Sequence, residues 1–355
     1  MSTLTTYHTE HAQDFIELSG EKWPRRYRSL PEEYAAAQTA AVMDRSFIGK
    51  VHVSGKDRES LLHRLTTNEM RKMAVGESCV NIFTNAKGRV IDLVEMLMQG
   101  ENYLLLTGPG RAATVSKWID KYTFLEEVKS VDETNRYALF SLFGAEAAAR
   151  AGDFFALEAA GVSAGHFLKT TWRETELLLH HPQAASAARL NVIAAAEIAG
   201  ELWRELLGHF SPIGFDVYDL LRIKQGIPAA DHEIVEDYNP HEIGLLPFIN
   251  FEKGCYIGQE VIARLDSYQK VQRQLFGLQC AAGPERVAGA AIFSSAQDIG
   301  KVTSAARAVA GDDTLALAVV RRTFAQPELR VDVLTPSGPA AAVLKALPFA
   351  GEADQ

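Results

Sequence analysis

The run Lys253-Gly254-Cys255-Tyr256-Ile257-Gly258-Gln259-Glu260, continued by Val261-Ile262-Ala263-Arg264, holds the residues best suited to chemistry. Two glycines four apart bracket a cysteine and free the backbone for a turn, and the polar-then-apolar order after Gly258 predicts a helix start. Cys255 is therefore expected just upstream of a helix N-terminus. There the helix end, Lys253 two residues away and Arg264 one turn into the helix would favour thiolate over thiol. On that reading Cys255 is a reactive group and Lys253 its electrostatic partner. The alternative is a cysteine acting as a small apolar filler in a glycine-rich turn.

Other chemistries find little support. The three cysteines, Cys79, Cys255 and Cys280, are an odd number at wide spacing with no Cys-x-x-Cys, which suggests neither a disulfide framework nor a structural zinc site. A permanent iron–sulfur cluster usually takes four cysteines, so any dealings with clusters would be transient or need partner ligands. His180-His181 is the only adjacent histidine pair, and neighbouring side chains point different ways, so no metal site is expected. Neither Gly-x-x-x-x-Gly-Lys-Ser/Thr nor Gly-x-Gly-x-x-Gly occurs, which leaves nucleotide-driven and dinucleotide chemistry without a motif.

The elements that must position Cys255 can be read from the rest of the chain. At 355 residues, 47% hydrophobic and 23% charged, the sequence is that of a globular protein too long for one core. A formal net charge of −9 argues against nucleic acid or an anionic membrane as partner. No stretch reaches the roughly 18 apolar residues of a membrane span, and the N-terminus has neither a basic start nor an apolar core, so the expected location is the cytoplasm.

Residues 31–43, rich in alanine with Glu32 and Glu33 in front, predict a helix. A strand over 50–53, a turn at Ser54-Gly55-Lys56-Asp57 and a helix from Arg58 with Leu61, Leu62 and Leu65 inside come next. From Cys79 the pattern turns to strands, with Asn85-Ala86-Lys87-Gly88 as a hairpin turn before 90–98 and 103–106. A helix over 111–122 and a strand over 127–131 complete an α+β module. A second α+β portion starts near Glu133, with a strand over 137–143 and a helix over 145–151. The alanine-rich segment 184–199 suits close helix packing, and 201–207 predicts a helix with Leu202, Trp203, Leu206 and Leu207 inward. From Lys270 short β runs at regular intervals suggest a small antiparallel barrel or sandwich. The expected division is 1–132, 133–268 (the first two portions being open to interleaving) and 269–355.

The octapeptide from Lys253 to Glu260 resembles the Lys-Gly-Cys-aromatic-any-Gly-Gln-Glu signature of the YgfZ family of folate-binding proteins, a branch of the group that contains the aminomethyltransferase (T-protein) of glycine cleavage. Asp44-Arg45-Ser46, Val53-Ser54-Gly55-Lys56-Asp57, Leu65-Thr66-Thr67-Asn68, Gly88-Arg89-Val90-Ile91-Asp92, the Leu221 to Pro228 run and Gly300-Lys301-Val302-Thr303-Ser304 resemble further landmarks of the group, in order. The resemblance covers roughly residues 30 to 340. It implies an α+β fold of three domains in a T-protein-like ring: two mixed α/antiparallel-β domains and a C-terminal small β-barrel.

The same resemblance implies tetrahydrofolate or a related reduced folate as ligand, iron–sulfur client or assembly proteins as partners, and no permanently bound metal or cluster. A pocket for such a ligand needs apolar walls, a few fixed polar groups and a cation for the glutamate tail. Candidates are Phe83 and Tyr256 for walls, Asp92 and Asn85 near the ring, and Arg222 or Lys224 for the tail. Gly258, Gln259, Glu260 and Arg264 join them from the motif, while Cys255 and Lys253 are the candidates for chemistry.

Two departures from the transferase branch bear on activity. Its pair of adjacent aspartates is here Asp92-Leu93, with one carboxylate, and its Gly-Tyr-Thr-Gly-Glu segment has no match between Leu168 and His181. Aminomethyl transfer is therefore doubtful, and the expected role is tetrahydrofolate-linked support of cluster assembly or repair. A folate-dependent aminomethyltransferase or demethylase with Asp92 as its acid–base group, and a non-catalytic scaffold acting through the Cys255 loop, remain as alternatives. Cys255 is open to three roles: nucleophile, transient cluster ligand or redox handle.

Overall fold

The computed structural model describes residues 3–157, 162–183, 189–268, 270–309 and 311–349. The chain forms two compact units: residues 1–83, 92–217 and 252–256 make one, and residues 84–91, 218–251 and 257–355 the other. The chain thus passes from one unit to the other inside the cysteine motif, between Tyr256 and Ile257.

The first unit is built on two sheets. One runs in the order His166–Trp172, Thr175–His181, Arg189–Ala195, Tyr137–Phe143, Ala41–Asp44 and Ser211–Pro212, antiparallel except for the last, parallel pair. The other has Ser78–Thr84, Val90–Met98, Asn102–Pro109, Ile48–Ser54 and Lys129–Asp132 as neighbours in that order. Leu97, Leu104 and Leu106 from the second sheet share a core with Leu139, Leu178 and Ile193 from the first. A further core joins Val42, Phe140 and Val192 to Leu202, Trp203 and Leu206 of the helix Ala199–Leu206. The central strands are buried on both faces, alternate residues entering the two cores, and the i, i+3, i+4 spacing of that helix makes its inner side apolar.

Parts of two stretches expected to be helical are strands. The helix expected over 31–43 spans Leu30–Thr39, and Ala41–Asp44 pairs with Tyr137–Phe143, Val42 standing opposite Leu142. Val42 is completely buried there, so sheet pairing and burial outweigh the helix propensity of alanine. Likewise Arg189–Ala195 is a central strand between Thr175–His181 and Tyr137–Phe143, and a helix begins only at Ala199. Residues 184–188 of the alanine-rich segment lie outside the described residues.

In the second unit, six strands close a barrel in the order Arg273–Cys280, Thr314–Arg321, Gln297–Arg307, Ala291–Ser294, Arg330–Thr335 and Gly338–Lys345. Leu278, Ile292, Val302, Ala318, Val333 and Leu344 fill it. The sixth strand has a weak β signature, given by glycine, proline and a run of alanines. It pairs with both Arg330–Thr335 and Arg273–Cys280, and that closure makes a barrel rather than a sandwich. No helix among the described residues is long and apolar enough to cross a membrane.

Candidate functional site

The motif's N-terminal half is anchored in the first unit to the end of the helix Arg58–Leu65. Leu61, Leu62 and Leu65 bury one side of that helix, and His63 is drawn in with them at 4% exposure. Where the helix ends, its last carbonyls lack intrahelical partners. The Lys253 Nζ supplies the missing donor, giving hydrogen bonds to the carbonyl oxygens of His63 at 2.7 Å, Thr66 at 2.6 Å and Asn68 at 2.6 Å. Lys253 is 6% exposed, and burial pulls its amine down to about 7. The expectation that Lys253 serves as electrostatic partner of Cys255 is thereby corrected: three backbone carbonyls accept from its amine, which pins the loop to the helix end.

Cys255 is exposed, between the exposed Gly254 and the buried Tyr256. The Tyr256 ring lies with its centroid 5.3 Å from Lys253 Nζ, and burial pushes its hydroxyl up to about 12. That hydroxyl has no hydrogen-bond partner among the described residues. Cys280 is buried, whereas Cys79 is only partly so. Its thiol lies 3.3 Å from the Met73 sulfur and 3.7 Å from that of Met70, and burial pushes it up to about 12.

Three side chains near this loop were not among the expected site residues. Gly254 has as its nearest neighbours the Nε2 of His63 and the Nη2 of Arg71, which would stand 3.7 and 3.8 Å from a Cβ built on it. His63 Nδ1 is 3.0 Å from Glu69 Oε1, and Arg71 Nε is 3.5 Å from the same oxygen. The only signal in the sequence was the proximity of His63, Glu69 and Arg71 to the Leu65 to Asn68 landmark. Nothing local links them to residue 254.

In the second unit, Gly258 has φ +86 and caps the helix Gln259–Ser267. A Cβ there would stand 2.6 Å from the Asn85 carbonyl oxygen, so both backbone conformation and space require glycine. Thr84 Oγ1 donates to the Ile257 carbonyl at 2.6 Å and holds the same approach. Half-buried Gln259 and exposed Glu260 occupy the first turn, where a carboxylate suits the helix dipole. Exposed Arg264 lies more than one turn into this nine-residue helix and so falls in its last turn.

Asn85 builds the expected hairpin: its Oδ1 accepts from the Lys87 and Arg89 amides at 2.9 and 3.1 Å, and its Nδ2 donates to Glu236 at 2.7 Å. In the first unit Asp92 is fully buried on Val90–Met98, its Oδ2 accepting from the Gly108 amide at 3.0 Å, and Leu93 beside it is half-buried. Phe83 is also fully buried, with its backbone bridged to Thr66.

Arg222 departs from the cation expected at a pocket mouth. It is 4% exposed on the helix Phe215–Gln225, 2.6 Å from Asp219 Oδ1 and 3.7 Å from Glu233 Oε2, and donates to Ser304 Oγ at 2.9 Å. Those carboxylates hold its guanidinium ionised despite burial. It is a strut between that helix and the barrel strand Gln297–Arg307 of the same unit. Lys224, the other candidate for the tail, is half-buried.

The first unit contains a cavity of about 380 Å³ beside Trp23, Phe47 and Arg136. The second unit contains one of about 470 Å³ lined by Gln225, His241 and Arg273, and one of about 630 Å³ beside Cys280 and Arg330. None of the three takes in an expected site residue. Among the described residues no group of three or more His, Cys, Asp or Glu side chains is placed to hold a metal.

Comparison with known proteins puts these features in context. The family model described as the GCVT N-terminal domain matches residues 4–253, and that of the glycine cleavage T-protein C-terminal barrel domain matches residues 273–350. A chloroplastic putative transferase of Arabidopsis thaliana is 29% identical over 74% of this chain and 61% of its own length. An aminomethyltransferase of Chlorobium limicola is 28% identical over 98% of both chains. The crystal structure of the glycine cleavage system aminomethyltransferase T from Bartonella henselae superposes with a TM-score of 0.87 at 21% identity, covering 98% of this chain and 97% of the other, which is a likeness of fold.

Proposed function

The chain belongs to the glycine cleavage T-protein family, and we propose that within it this chain binds tetrahydrofolate and supports assembly or repair of iron–sulfur clusters in client enzymes, with Cys255 as its working group. The observation that carries the reading is an exposed thiol on a loop whose neighbours Lys253 and Tyr256 are buried. Such a loop presents Cys255 to solvent at a fixed place, which a packing cysteine does not need. The motif around it is complete, from Lys253 through Glu260.

Bound tetrahydrofolate supplies a carrier for one-carbon groups. Toward it the chain offers Tyr256 as an aromatic wall whose buried hydroxyl has no hydrogen-bond partner among the described residues, which suits a flat, hydrogen-bonding ring. Asp92 offers a carboxylate fixed by the Gly108 amide. Arg222 is withdrawn from this assignment by its ion pairs, which leaves Lys224 as the candidate for the anionic tail. The division of the chain into 1–132, 133–268 and 269–355 belongs to the same proposal.

A second reading is a folate-dependent aminomethyltransferase or demethylase. It is supported by relatives over nearly the whole chain that carry the name aminomethyltransferase. Asp92 would then serve alone as acid–base group, with Leu93 beside it. Two measurements separate the readings. Calorimetry with tetrahydrofolate should give binding heat under both, and its absence would remove both and leave the scaffold alternative. Restoration of cluster-enzyme activity, in cells that lack their own copy, is expected for the first reading, while steady formation of methylene-tetrahydrofolate would favour the second.

A further inference from the structure

A turn closed by the Met73 amide, which donates to the Met70 carbonyl at 3.3 Å, brings two thioethers together in the first unit. The strand Ser78–Thr84 of the same unit lays Cys79 and Asn81, two residues apart, on one face beside them. The Cys79 Sγ is 3.3 Å from the Met73 Sδ and 3.7 Å from the Met70 Sδ. Met70 and Asn81 are completely buried, while Cys79 and Met73 are half-buried, so the cluster is reached through the latter two. Apolar packing alone would not need Asn81. Its Oδ1 accepts from the Asn68 amide at 2.6 Å, which fixes the two ends of the carboxamide. The Nδ2 therefore faces the sulfurs, 3.0 Å from the Met70 Sδ and 3.1 Å from the Cys79 Sγ. Thiols and thioethers are weak acceptors and a thiolate is a strong one, so this buried donor is fully satisfied only when Cys79 is an anion. A buried anion in turn calls for a cation.

We propose that Cys79, Met70 and Met73 form a binding site for a soft monovalent metal ion, Cu(I), with Asn81 hydrogen-bonded to the ligand sulfur. On binding, the S–H bond of Cys79 breaks and its proton leaves to water. The electron pair left on Sγ and one lone pair of each thioether bind the ion, and nothing is oxidised or reduced. Thiolate with thioether selects Cu(I), because hard ions take oxygen ligands and Zn(II) takes thiolate, imidazole or carboxylate. Charge points the same way. One thiolate and one Cu(I) make a neutral unit, whereas a divalent ion would leave a net positive charge buried among these residues. Three sulfurs at the usual metal–sulfur distance of about 2.3 Å, in one plane with the ion, stand roughly 4 Å apart. The two sulfur separations of 3.3 and 3.7 Å therefore need to open by less than about 1 Å, which unbranched methionine side chains allow. Two of the ligands are methionines, so the lack of a His, Cys, Asp and Glu cluster among the described residues does not bear on the site. Neither Cys255 nor a folate takes part in it.

The test is an oxygen-free titration with Cu(I) of the full chain carrying Cys255→Ala, which removes the exposed thiol as a competing ligand. Bathocuproine disulfonate competes for the ion, at a concentration that strips Cu(I) from glutathione. One Cu(I) per chain should be retained, and its X-ray absorption should show sulfur alone in the first shell, at about 2.3 Å. Adding Cys79→Ser should lower the affinity by more than about 100-fold, since loss of even an outer partner of a metal ligand costs roughly 10–100-fold. Met73→Leu, which keeps the volume and removes one thioether, should lower it by about tenfold. Failure of the Cys255→Ala protein to retain Cu(I), or nitrogen or oxygen in the shell, overturns the proposal whether or not the further variants fold. Unchanged retention by a folded Cys79→Ser protein overturns it as well, and equal retention of Zn(II) would overturn the choice of a soft monovalent ion.

Discussion

The amine of Lys253 donates to the carbonyl oxygen of Thr66 across 2.6 Å, and the carbonyls of His63 and Asn68 accept from it as well. A single side chain thus satisfies the end of one helix and fixes the loop that carries Cys255. Lys253→Met should leave three buried carbonyls short of a donor and cost on the order of 3 kcal/mol, read as a lower melting temperature. A melt within a degree of wild type would remove Lys253 from this role.

The same amine predicts a pH dependence. Burial brings Lys253 from an ordinary 10.5 to about 7 in the folded chain. Between those values the unfolded chain holds the proton and the folded chain releases it, keeping two of the three N–H donors, so stability should rise with pH from about 7 toward 10.5. The difference in melting temperature between wild type and Lys253→Met, followed across that window, should show the rise. A difference independent of pH would mean that the amine stays protonated throughout.

The three thiols should separate in rate. Exposed Cys255 labels first, Cys79, whose thiol burial pushes up to about 12, lags behind it, and buried Cys280 reacts only on unfolding. Cys255→Ala should melt within a few degrees of wild type yet fail to restore cluster-enzyme activity in cells lacking the native protein. Full rescue by that variant would take Cys255 out of the mechanism.

Gly258→Ala should be disruptive out of proportion to one methyl group. The φ of +86 alone costs an L-residue roughly 1–2 kcal/mol, and the new Cβ would stand 2.6 Å from the Asn85 carbonyl. Gly244, with a similar φ of +76 but open space around it, is the control: Gly244→Ala should pay only the backbone strain. Equal effects at the two positions would mean that the approach of Asn85 does not matter.

Arg222→Leu should destabilise the second unit by roughly 3–5 kcal/mol, because Asp219 and Glu233 would remain inside without their cation. If the variant instead melted normally and lost only folate affinity, Arg222 would be a ligand contact after all.

Much of this protein is legible in its sequence, and the reason is local. Turns such as Asn85-Ala86-Lys87-Gly88, the helix Arg58–Leu65 with its leucine stripe, and the strand Val90–Met98 are set by spacing, caps and glycine, all within a few residues. The cysteine loop and the helix after Gly258 are of the same kind. Tertiary structure decided the rest. Ala41–Asp44 and Arg189–Ala195 become strands because distant partners bury them, and Gly338–Lys345 is a strand because it closes a barrel between two others. At the site, Lys253 reads as a charge for Cys255 only while its acceptors are unknown. Folding brings the carbonyls at 63, 66 and 68 to its amine and turns it into a strut, and the same contact puts His63, Glu69 and Arg71 at the loop. Which charged group stands beside a thiol depends on what lies across space from it, and residues nearly two hundred positions apart leave no trace of that in their order along the chain.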